Sequence, residues 1–78
     1  MALIRYAIND NNDIYFEPKA ISAFHVEKKH NYEIYLNISG HIHTIRCGTY
    51  NIQAEVIKDI KNLINNNYSL NSGLFHKD

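Results

Sequence analysis

The chain has 78 residues and a mass of 9.1 kDa, enough for one small domain and too little for two. Hydrophobic residues make up 45% and charged residues 21%, which excludes wholesale disorder. Eight Lys and Arg balance eight Asp and Glu, so the chain has neither the basic excess of a dedicated phosphate-backbone binder nor the acidic excess of a nucleic-acid mimic.

Residues 3–8 (Leu3, Ile4, Arg5, Tyr6, Ala7, Ile8) are apolar and β-prone, and the polar run Asn9-Asp10-Asn11-Asn12-Asp13 ends them as a turn. Ile14-Tyr15-Phe16-Glu17 restores β character, so the two runs read as a hairpin. Pro18 offers no amide donor and stops a central strand there. A third strand is expected over residues 20–27, followed by the polar connection Lys28-Lys29-His30-Asn31.

Residues 32–38 alternate strictly, and Ser39-Gly40 turns the chain into a partner strand that runs to about Cys47, before Gly48. A two-residue loop sets Tyr32, Ile34, Leu36 and Ile38 opposite Cys47, Ile45, His43 and His41 on one face. The other face pairs Glu33 with Arg46, Tyr35 with Thr44 and Asn37 with Ile42. The ion pair and the Tyr–Thr pair are favourable neighbours at roughly 0.2–1 kcal/mol each. The first face is therefore the expected core side, with His43 near its edge.

Over residues 51–66 the period changes. Val56, Ile57, Ile60, Leu63 and Ile64 form one helical stripe, with Glu55, Lys58, Asp59, Lys61 and Asn62 on the opposite side. Thr49 or Asn51 caps the start, and Asn65-Asn66-Asn67 ends the pattern. The fold class that follows is α+β: an antiparallel β-meander of four to five strands with one C-terminal α-helix packed on one face. Residues 1–67 make the domain, and residues 68–78 are expected as a loosely docked or flexible tail, since Leu70, Leu74 and Phe75 show no period.

The start lacks a long apolar stretch, so a signal peptide is not expected, and no apolar run approaches the roughly 20 residues of a membrane helix. Cys47 is the only cysteine, which excludes an internal disulfide and fits a reducing, cytoplasmic setting. The sequons at Asn37 and Asn67 are chance matches in a chain with eleven Asn.

No catalytic constellation is expected. His41 and His43 leave the same strand face, but Cys47 lies about 13 Å from His43 at strand rise, so those three cannot share one ion. CxxC and HExxH motifs, paired carboxylates and a phosphate-cradling glycine loop are all absent, so neither a metal nor another cofactor is expected. Cys47 reads as a small buried hydrophobe rather than a nucleophile.

A sheet covered by one helix leaves its second face open, showing Leu3, Ala7, Tyr15, Tyr35 and Ile42 among charges of both signs. Tyr and Arg in a mixed patch are typical interface anchors, so Arg5, Tyr15, Tyr35, Ile42 and Arg46 are the expected interaction face. The edge strand over residues 3–8 lacks a dense row of protecting charge. The function expected is a non-enzymatic protein-interaction module, homodimeric, that binds another protein. The alternative is a single-stranded nucleic-acid binder using sheet-face Tyr and Arg with the Lys28-Lys29 loop.

The order of elements is similar to that of small bacterial and phage meander-plus-helix proteins. Glu17-Pro18-Lys19-Ala20-Ile21, then Tyr32-Glu33-Ile34-Tyr35-Leu36 and Gly40, resembles the FlbD-type flagellar proteins in rhythm. The matching positions are apolar and turn residues, so the resemblance assigns no functional residue. The asparagine content and small size suit an accessory regulator or inhibitor of a bacterium or phage.

Overall fold

The computed structural model describes residues 2–8 and 12–78. The turn expected over residues 9–13 lies, at its first three positions, outside the described residues. Among the described residues the architecture is α+β with one α-helix, as the sequence implies. The strands described number six rather than four to five, and they form two antiparallel sheets rather than one meander.

Strands β1 (Ile4–Tyr6), β2 (Ile14–Phe16) and β6 (Phe75–Lys77) make the first sheet in the order β2-β1-β6. Strands β3 (Ile21–Glu27), β4 (Glu33–Ile38) and β5 (His41–Arg46) make the second, with β4 central. The split follows from Pro18, which opens a 3-10 turn over Pro18–Ala20 between β2 and β3. The chain therefore enters β3 without β3 pairing to β2.

The β4–β5 hairpin has the register derived from alternation: Glu33 faces Arg46, Ile34 Ile45, Tyr35 Thr44, Leu36 His43, Asn37 Ile42 and Ile38 His41. Ser39 and Gly40 both take positive φ, 53° and 86°, which is the two-residue turn whose twist matches the flanking strands. The side chain of Asn37 accepts the N–H of Gly40 at 2.9 Å. Ile34, Leu36, Ile38, Ile45 and Cys47 are buried, His43 is half-buried and His41 is exposed. Tyr32 does not extend the strand: at φ 50° it closes the 28–32 loop, while its ring still packs on the core.

Helix α1 (Tyr50–Ile64) begins at Thr49, whose hydroxyl accepts the N–H of Ile52 at 3.2 Å. It ends with Asn66 in the left-handed region at φ 57°. There the Asn67 N–H reaches the Asn62 carbonyl at 2.7 Å and the Asn66 N–H reaches the Leu63 carbonyl at 3.0 Å, the bonds that satisfy a helix C-terminus. Val56, Ile60 and Leu63 are fully buried in a core shared with Ile4, Tyr6, Phe16 and Phe75 of the first sheet and Ile34, Leu36 and Ile45 of the second.

Two polar residues share the buried side of α1. Gln53 donates to the carbonyls of Glu27 and Glu33, at 3.0 and 3.2 Å, tying the helix to the ends of β3 and β4. Asp59 was expected on the solvated side but is fully buried, accepting backbone N–H groups from Asn71 and Ser72.

That anchor corrects the reading of residues 68–78 as a loose tail. Phe75 is 1% exposed, β6 pairs with β1, and the Ala7-to-Leu74 and Asp78-to-Leu3 backbone bonds, both 2.8 Å, extend the ladder at each end. Strand β1 is consequently central in its sheet, so the unprotected edge expected over residues 3–8 does not exist.

Candidate functional site

On the side of the second sheet away from the core, alternation brings three rows to the surface: Glu27, Glu33 and Arg46; His25, Tyr35 and Thr44; Ala23, Asn37 and Ile42. Glu33 organises the first two rows. Its Oε1 accepts the Tyr35 hydroxyl at 2.8 Å and its Oε2 accepts Arg46 Nε at 3.0 Å. The Tyr35 hydrogen bond, then that of Arg46, holds the Glu33 carboxyl below its ordinary range, while the same bond raises the Tyr35 phenol.

Tyr35 also stacks on His25, with ring centroids 6.0 Å apart and planes 27° from parallel. The ring is thereby fixed at its hydroxyl by Glu33 and on its face by His25. Beside it lies an open groove of about 180 Å³ lined by Ala23, Phe24, His25, Tyr35, Asn37 and Ile42. Ile42, at 67% exposed, is the most exposed large hydrophobic residue among the described residues. A rigid aromatic beside an uncovered aliphatic side chain, rimmed by an ion pair, has the composition of an interface core.

The five residues expected on one face are divided between two sheets. Tyr35, Ile42 and Arg46 gather as described. Arg5 and Tyr15 lie side by side on the outer face of the first sheet, where Arg5 also neighbours His76 and pairs with Asp13 at 3.2 Å. The single face assumed β2 beside β3, and those strands do not pair. Both arginines are engaged by carboxylates, and Lys28 and Lys29 stand exposed on the 28–32 loop.

His43 packs edge-on against Tyr6 at 6.2 Å, while His41 is exposed. Among the described residues no group of three His, Cys, Asp or Glu side chains is placed to surround an ion. Cys47 is a buried free thiol whose pKa burial pushes up. His25 belongs to the site but was not expected there; its signal was parity with Tyr35, available once β3 is registered on β4.

No helix among the described residues is long and apolar enough to cross a membrane. Comparison with known proteins returns no matching family model, no similar curated protein and no similar solved structure.

Proposed function

We propose that the protein is a small non-enzymatic interaction module, homodimeric, that binds another protein through the outer face of β3–β4–β5. One observation carries the reading: Ile42 stands uncovered beside a Tyr35 ring that is already immobilised by Glu33 and His25. An aromatic held in place before binding loses little freedom on binding, which is how interface anchors gain affinity. The role is that of an accessory regulator or inhibitor of a bacterium or phage, and the lone buried thiol accords with a cytoplasmic setting.

Affinity purification with the wild type, Tyr35→Ala and Ile42→Lys tests the face. A partner retained by the wild type and lost by both variants, with little response to salt, supports the reading. A partner held equally by all three overturns it. Retention of single-stranded nucleic acid that falls steeply with salt transfers the function to the nucleic-acid alternative. That alternative has less support, because Arg5 and Arg46 lie on different sheets and each already faces a carboxylate.

A further inference from the structure

Strand β5 ends its sheet, and its backbone phase can be read from one bond. The N–H of Cys47 reaches the Tyr32 carbonyl at 3.3 Å, so the pairs Tyr32–Cys47, Ile34–Ile45, Leu36–His43 and Ile38–His41 are the hydrogen-bonded ones. The alternate residues, Ile42, Thr44 and Arg46, therefore turn N–H and C=O away from β4. All three are exposed, and among the described residues no backbone group bonds to them from that side.

The other edges of the two sheets are blunted. Strands β2 and β6 are three residues long. Strand β3 carries a register shift between Ile21 and Ala23 and ends at Glu27, followed by Lys28 and Lys29. Bulges, short strands and charge are the usual defences of a sheet edge, and β5 has only Arg46, already paired with Glu33.

From this we infer that β5 pairs antiparallel with β5 of a second copy, joining two three-stranded sheets into one continuous six-stranded sheet. This deepens the proposed homodimer by naming the surface that makes it.

Among the two-fold registers centred on an outward-facing residue of β5, the sequence favours the one centred on Thr44. Thr44 then faces Thr44 of the copy, a favourable cross-strand pair, and Ile42 faces Arg46 of the copy in both directions. Ile42, Thr44 and Arg46 each gain their two missing backbone bonds. Centring on Arg46 would oppose like charges, and centring on Ile42 would run Thr44 against Gly40 of the turn. The stem of Arg46 then lies beside Ile42 of the copy while its head stays on Glu33, so the outer face of Ile42 and Tyr35 stays open to a partner. The contact uses the same strand on both copies, so it closes as a dimer. Pairing of β5 with β3 would propagate, and the shift in β3 opposes it.

Two variants test this by sedimentation and cross-linking of the full chain. Thr44→Pro removes an N–H that points to solvent in the monomer, a position where an edge strand tolerates proline. It should fold, and sediment at 9.1 kDa where the wild type sediments at about twice that. Thr44→Cys in a Cys47→Ala background should oxidise to a covalent dimer, because the paired Cα atoms would stand about 5.5 Å apart, within disulfide reach. Ser22→Cys, on the opposite edge, should not. A dimer that survives Thr44→Pro, with no Thr44→Cys cross-link, overturns the β5 pairing and leaves the homodimer to another surface. A wild type that stays at 9.1 kDa and does not cross-link through Thr44→Cys overturns both. If Thr44→Pro fails to fold, the cross-link decides alone.

Discussion

Asp59, in the third turn of α1, accepts the N–H of Ser72 at 2.8 Å and that of Asn71 at 2.9 Å. A carboxylate on the buried side of a helix is stable only when its lone pairs are filled, and here the backbone of residues 71–72 fills them. The bonds place Leu74 and Phe75 where β6 can join β1.

Asp59→Ala should therefore cost about 2 kcal/mol, the order of a buried donor left without its partner. Chemical denaturation measures the loss. Amide exchange at Phe75 and Lys77 should accelerate more than exchange at Ile34 or Leu36, because β6 is released before the hairpin. Uniform acceleration would mean that the tail is held by Phe75 alone.

The Glu33 carboxyl should titrate below its ordinary 4.5, owing first to the Tyr35 hydroxyl and then to Arg46. A carboxylate with a depressed folded pKa contributes stability above its unfolded pKa and loses it as pH falls through the folded value. The stability difference between wild type and Glu33→Gln should thus be full above about pH 4.5 and vanish on acidification below it. Carboxyl NMR follows the midpoint directly, and Tyr35→Phe should move it back up.

Tyr35→Ala should weaken binding of a protein partner by more than ~1 kcal/mol while leaving the far-ultraviolet spectrum unchanged. Tyr35 is half-buried and outside the core, so its loss leaves Ile34 and Leu36 packed. Titration calorimetry with the captured partner gives the number. An unchanged affinity would count against this face.

Burial raises the Cys47 thiol above its ordinary 9.0. The reactive thiolate is correspondingly scarce in the folded protein, and a disulfide reagent at pH 8 should label Cys47 at least about tenfold more slowly than in denaturant. Equal rates would place the thiol in solvent.

The hairpin and helix were legible because their signals are local. Strict alternation on both sides of Ser39-Gly40 admits one register, and Thr49 with the Asn65-Asn67 run marks the helix ends. Tyr35, Ile42 and Arg46 share a face for the same reason. Strand β6 was not legible: Phe75-His76-Lys77 is too short for a period, and its position depends on Asp59, a helical residue that reads as solvated. Gln53 was invisible likewise, because its acceptors are the carbonyls of Glu27 and Glu33, far away in sequence. Alternation sets Arg5 and Tyr15 beside Tyr35 only where β2 and β3 share a sheet, and the turn at Pro18 divides them between two.

Solution mass by light scattering across a dilution series, at low and high salt, decides whether the second sheet self-associates. A mass near twice 9.1 kDa at both salts is the predicted result, since paired backbone and apolar contacts respond little to screening. A mass of 9.1 kDa throughout, or one that falls to it when salt is added, would mean that the second sheet does not pair with a copy of itself through backbone and apolar contacts.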